Sequence, residues 1–219
     1  MSFYISDDLT EVATLVKENP NARYFGKWCD ALAVDELIGD SEKCPVCNRH
    51  VSMLKWLEPR KIKLSNTRYP DRLKSWLPQS FVISERSKEA YEQEGLTGIK
   101  LFTPVEVVKV SRMKKDSPAS FNYFSAEIAY TSNVRVDVAN SEIIGQNDDW
   151  QCALCNPFGS TRDQIIKISL DASNWQGEDI FKVYSLGVVY SQKFYDLVQK
   201  HNLTNFNLVP VSEYQRGLR

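Results

Sequence analysis

The sequence predicts an α+β fold built from two pseudo-repeats, each a Cys-x-x-Cys knuckle plus strands, one helix and a closing strand. Three observations predict it. "CPVCN" at 44–48 returns as "CALCN" at 152–156, an offset of 152 − 44 = 108. "FVISERSKEAYEQEGLTGIKLFTP" at 81–104 and "VVYSQKFYDLVQKHNLTNFNLVP" at 188–210 each run from an apolar stretch ending in Ser, through a helical pattern, to Leu-Thr and a last apolar run. Between these blocks "IKLS" (62–65) echoes "IKIS" (166–169), and "DRLK" (71–74) echoes "DIFK" (179–182). A shared order at a nearly constant offset is the mark of an internal duplication. Repeat 1 then covers about 44–106 and repeat 2 about 152–213, with 107–150 as an insertion, in a single domain of 219 residues.

Each element has a local reason. Pro45 favours the tight turn of the first knuckle, and Asn48 and Asn156 follow the second Cys of each motif. The backbone there prefers positive φ, which Gly adopts best and Asn next best. Ser84 and Ser191 follow β-like runs and precede helical patterns, so both read as N-caps. Phe194, Leu197 and Val198 fall at i, i+3 and i+4, one apolar stripe, whereas the first helix offers only Ala90 and Tyr91 and should lie nearer the surface. Gly95 and Asn202 then occupy equivalent positions where a left-handed residue ends a helix, and Leu96 and Leu203 follow as its hydrophobic contact. "IKLFTPVEVVKV" and "FNLVPV" return as strands.

Composition bounds the function. Lys and Arg total 27 against 28 Asp and Glu, so the net charge of −1 gives no whole-chain attraction to nucleic acid or anionic membrane. The first twenty residues carry acids where a signal peptide would be basic, and no stretch approaches a membrane span, so a cytoplasmic protein is expected. In a reducing compartment paired CxxC motifs bind metal or catalyse more often than they form structural disulfides. Two such turns supply the four soft ligands of tetrahedral zinc, so Cys44, Cys47, Cys152 and Cys155 are the expected ligands of a structural Zn2+ that staples the two repeats. Redox use would need a helix starting at the motif to lower a thiol pKa, and neither motif is followed by one. Catalytic zinc is disfavoured because four thiolates leave no open position. Cys29 reads as a small buried hydrophobe.

Other candidates are weaker. His50, three residues after Cys47, could substitute as a ligand but reads better as a hydrogen-bonded neighbour of the knuckle, and His201 as a cation at a helix C-terminus. "NDDW" (147–150) and "GED" (177–179) hold paired acids that read as solvated turns rather than acid–base pairs. The run "KVSRMKK" (109–115) lacks interleaved aromatics and reads as a solvated loop. No Walker loop, GxGxxG, GxSxG or HExxH occurs, so no enzyme is expected.

The order "MSFYISDD", "GKWCDALAVDELIGDSEKCPVCN", "FVISERSKEAYEQEGLTGIKLFTP", "CALCN", "VVYSQKFYDLVQKHNLTNFNLVPV" resembles the double-CXXCG motif proteins, a bacterial family that includes immunity proteins. The family pattern has Gly after each second Cys, where this chain has Asn48 and Asn156. The resemblance implies a cytoplasmic protein that binds and neutralises a cognate toxin and has no active site of its own. A zinc-ribbon-like, nucleic-acid-associated protein is the alternative. Within 107–150, Phe121, Tyr123, Phe124 and Tyr130 supply aromatics and Asp148 and Asp149 acids that suit a protein interface with a basic toxin; Phe121 and Tyr130 read better as core packing, so Tyr123, Phe124, Asp148 and Asp149 are the candidate partner-binding residues.

Overall fold

The computed structural model describes residues 2–6, 30–35, 37–52, 54–65, 67–74, 81–111, 122–147, 149–160 and 164–216. In chain order the elements are β1 (Phe3–Ser6), β2 (Ala31–Ala33), β3 (Ile38–Gly39), β4 (Lys55–Trp56), β5 (Lys61–Leu64), β6 (Arg72–Leu73), β7 (Phe81–Ser84), α1 (Glu85–Gln93) and β8 (Ile99–Val110). There follow β9 (Tyr123–Ile128), β10 (Tyr130–Thr131), β11 (Arg135–Val136), β12 (Glu142–Ile144), β13 (Gln164–Lys167), β14 (Leu170–Asp171), β15 (Ile180–Val183), β16 (Gly187–Ser191), α2 (Gln192–Lys200) and β17 (Leu208–Pro210). The class is α+β, as expected.

Two sheets carry the fold. The first runs β2-β5-β8-β9-β7-β6 and the second β10-β15-β16-β1-β17. The largest apolar core lies between them: Phe81, Ile83, Tyr91 and Ile128 meet Ile180, Tyr190, Phe194 and Leu197. Each sheet has a second core on its outer face, around Ile62, Val82 and Tyr123 on the first and around Phe3, Phe181 and Val189 on the second. Alternating side chains make this layering possible, because each strand feeds two cores at once. Val82 goes outward while Phe81 and Ile83 go inward.

Both helices start where the caps place them. Ser84 Oγ accepts the N–H of Ser87 and Ser191 Oγ accepts the N–H of Phe194. α1 buries Ala90 and Tyr91, and α2 buries Phe194, Leu197 and Val198, as the spacing predicts; Ser87, which the spacing did not single out, is buried beside them on α1. Gly95 (φ 60°) and Asn202 (φ 47°) are left-handed, and Leu96 and Leu203 behind them are buried.

The hairpins preceding the helices have matching registers. Arg72 faces Ile83 and Leu73 faces Val82; Ile180 faces Tyr190 and Phe181 faces Val189. Two expectations do not carry over. The "IKLS" strand β5 joins the first sheet beside β8, whereas the "IKIS" strand β13 pairs with β12 in a separate ribbon. The reason is length: β8 spans 12 residues and offers β5 a second edge, whereas β17 spans 3. Nor do residues 107–150 stand apart as an insertion. They finish β8, supply β9 to the interior of the first sheet and β10 to the edge of the second.

Candidate metal centre

The four motif cysteines converge. Each knuckle sits at the end of a short antiparallel ribbon, β3–β4 around the first and β12–β13 around the second. In the first turn Asn48 N–H donates to Cys44 O at 2.9 Å and Cys44 N–H to Arg49 O at 2.8 Å, with Asn48 at φ 59° as its position predicts. The second turn differs. Cys152 and Asn156 exchange both backbone hydrogen bonds at 3.1 Å, and Asn156 has no positive φ; Gly159, whose N–H donates to Asn156 O, takes the left-handed conformation at φ 61° instead. The Asn156 side chain instead donates its amide N–H to Trp150 O at 3.1 Å.

Cys44 Sγ lies 3.8 Å from Cys152 Sγ and Cys47 Sγ 3.5 Å from Cys155 Sγ, and all four sulfurs lie within 4.8 Å of one another. These separations are far longer than a disulfide bond of about 2.05 Å. They approach the edge of a tetrahedron of sulfurs about 2.3 Å from a central ion, which is ~3.8 Å. The four thiols are therefore placed to hold a metal ion, two from each half of the chain. Leu154, Val51, Trp150 and Tyr184 shield them, and the Arg49 guanidinium lies 4.6 Å over the Trp150 ring. Tyr130 belongs to the same wall: it stacks on Tyr184 at 4.6 Å and donates to Val51 O.

The electrostatics favour a cation. Burial opposes the Cys152 thiolate, but the N–H groups of Cys155 and Leu154 and the thiols of Cys155 and Cys47 outweigh it and hold this thiol below its ordinary value. Cys155 goes the other way: burial, the surrounding thiols and the charge on Cys152 all push it up. One negative charge forms readily and the next is resisted, and a bound cation removes that resistance.

The remaining expected residues disperse. His50 is exposed and hydrogen-bonds to Ser41 rather than joining the sulfurs. Tyr123 is not at a surface: it is 2% exposed and its hydroxyl donates to Pro70 O at 3.0 Å. Phe124 is half-buried beneath the Lys88 ammonium, 5.4 Å from its ring, on the opposite face of the strand from Tyr123. Neighbouring strand residues point to opposite faces, so these two could not share one interface. Asp149 is exposed. Asp148, Phe121, Cys29 and residues 112–115 of the basic run lie outside the described residues, and Lys109 is exposed at the end of β8. No helix among the described residues is long and apolar enough to cross a membrane.

A second polar constellation was missed in the sequence. Asp179 is no solvated turn acid; it is 5% exposed, as is Asp71. Ser84 Oγ donates to Asp71 Oδ1 and Ser191 Oγ to Asp179 Oδ1, each at 2.8 Å. The other oxygen of each carboxylate reaches across to the opposite half. Asp71 Oδ2 accepts Thr204 N–H (2.9 Å) and Oγ1–H (3.0 Å), and Asp179 Oδ2 accepts Thr97 N–H (3.0 Å) and Oγ1–H (3.3 Å). The signal was present as the shared Asp opening "DRLK" and "DIFK" and the shared Thr of the two Leu-Thr pairs.

Compared with known proteins, the chain matches no family model, and no curated protein matches it.

Proposed function

We propose that the protein is a zinc-stapled binding protein of the toxin-immunity type, acting in the cytoplasm by binding a cognate toxin. The observation that carries this reading is the closure of the site. Cys44, Cys47, Cys152 and Cys155 complete a four-thiolate set that leaves no position for a substrate or an activated water, so the ion's role is to hold structure. Zinc suits a thiolate tetrahedron and a site with no redox task. The order of motifs shared with the double-CXXCG immunity proteins supports the partner class. The same reading takes the two halves as copies of one unit, supported by the twice-used Asp–Ser–Thr contact and the matched hairpin registers.

Elemental analysis of freshly prepared, reduced protein should find about one zinc per chain, and Cys152→Ser should lose it and melt at lower temperature. Protein without zinc, or with iron in its place, would overturn the metal assignment. Affinity capture from the native cell, followed by mass spectrometry, tests the partner. Recovery of one toxin protein that survives nuclease treatment is expected. Recovery of nucleic acid with salt-sensitive affinity would replace the immunity reading with the nucleic-acid alternative.

A further inference from the structure

The two sheets place their inner strands alike. β9 lies between β7 and β8, and β1 lies between β16 and β17. Tyr123 of β9 faces Ser84, and Phe3 of β1 faces Ser191, so each strand meets the helix-capping serine of its sheet at the same register. On the other side Phe124 faces Pro104, and Tyr4 faces Pro210. β9 and β1 thus hold the same place, although one comes from the middle of the chain and the other from residues 3–6.

This changes where the units begin. One unit is 3–111, opening with β1; the other is 122–216, opening with β9. The opening strand of each lies in the sheet of the other. Three sets of contacts cross between the units in matching pairs. Asp71 of the first unit holds Thr204 of the second, and Asp179 of the second holds Thr97 of the first. Arg86 donates to Asn202 O at 3.2 Å and Lys193 to Gly95 O at 3.1 Å. The sulfurs pair across the same divide. The match extends to the carbonyl before each aspartate: Tyr123 Oη–H donates to Pro70 O, and where Phe3 lacks a hydroxyl, Trp175 Nε1–H donates to the equivalent Glu178 O at 3.1 Å.

We infer that the surface between the units is a self-complementary docking surface whose natural partner is a second copy of the same unit, so that the single chain is a joined form of a strand-exchanged two-fold dimer. This rests on reading the halves as copies of one unit and is independent of which partner the whole protein binds. A two-fold interface is isologous, the same patch used by both members. The crossed aspartates, the crossed strands and the paired sulfurs are that pattern in one chain. It follows that the peptide link between the units is not what holds them together.

The test is to place a protease site between residues 112 and 120 of the full chain, fold the protein with zinc, and cut it. The two pieces should stay together as one particle in size-exclusion chromatography and native mass spectrometry, with the zinc content of uncut protein. Their melting temperature should become concentration-dependent. When isotopically heavy and light samples of cut protein are mixed, treated with a chelator and resupplied with zinc, particles pairing a heavy piece with a light one should appear. In uncut protein Asp71→Asn and Asp179→Asn should lower the melting temperature by similar amounts. Pieces that separate at low micromolar concentration with zinc present, or that never exchange partners, would overturn the inference. If they separate while the two Asp substitutions still act alike, the docking claim fails and the reading of the halves as copies stands. Unequal effects of the two substitutions would overturn that reading itself.

Discussion

Gly98 occupies the point where the Leu-Thr turn of the first unit touches the second sheet. Its φ is +110°, and a Cβ built there would lie 1.8 Å from Ile180 O, a backbone atom that cannot step aside. Gly95, three residues earlier, has φ +60° with nothing within 4 Å of its Cβ position. The two should therefore separate cleanly in denaturant unfolding. Gly95→Ala is expected to cost about 1 kcal/mol, the strain of a left-handed Ala. Gly98→Ala should cost at least about 3 kcal/mol, because strain and collision add. Tyr123 gives a pH-dependent counterpart. Its burial, then the nearby charges of Asp30 and Asp71, push its phenol up from the ordinary value. The folded protein thus keeps the neutral form. Its contribution is complete below the unfolded phenol pKa of about 10 and declines as pH rises past it, since the unfolded chain loses the proton first. Denaturation midpoints measured between pH 9 and 11 should fall with pH, and less steeply in Tyr123→Phe. At this scale the sequence was most legible where one residue type answers one backbone demand, as at Ser84, Ser191, Gly95 and Asn202. It was least legible where a partner lies far along the chain. Nothing local to Asp179 says that Thr97 will need it, and nothing local to Tyr123 says that its ring is buried.

The helices and their caps are the next unit of argument. Ser84 and Ser191 each accept a helix N–H and donate to a buried carboxylate, so one hydroxyl ties a helix start to an aspartate that also grips the other unit. Replacing either Ser by Ala removes a cap and leaves an aspartate oxygen short of a donor. About 1–2 kcal/mol is expected for each, read from chemical denaturation. A double-mutant cycle between Asp71 and Thr204 should return a coupling of about 0.5–3 kcal/mol, because the two groups are in direct contact. A coupling near zero would show that the crossed bonds carry no net stability. The helices were visible beforehand because their periodicity and caps are local. The strand roles were not, because "IKLS" and "IKIS" differ only in what lies beside them: a long β8 that can take another partner, and a short β17 that cannot.

For the whole molecule the proposed metal site and the central core bear on the same joint. The four thiols join the units at one cluster, and the core around Phe81, Tyr190 and Phe194 joins them at another. Structural zinc is worth roughly 10–16 kcal/mol in small finger peptides that have little else. Here a shared apolar core remains, so chelation should lower the melting temperature sharply without abolishing the fold, and added zinc should restore it. Far-ultraviolet circular dichroism during chelation checks this; complete loss of structure would mean that the core is subordinate to the ion. The knuckles, their spacing and their convergence were readable because ligand chemistry demands four thiols in one place. The partition of the chain was not, because nothing in "FYIS" marks it as an inner strand of a sheet whose other strands come from residues 130–131 and 180–210. That placement sets the order of biosynthesis. β1 is made long before β16 and β17, yet its Tyr4 must lie opposite both Tyr190 and Pro210. Closing so long a loop costs about 2–3 kcal/mol more than closing one of ten residues. During translation the strands of the first sheet, all within residues 31–128, can pair before the second sheet is made, whereas the second lacks the strand between β16 and β17 until β1 joins it. The second sheet can therefore close around β1 only after β16 and β17 have been made.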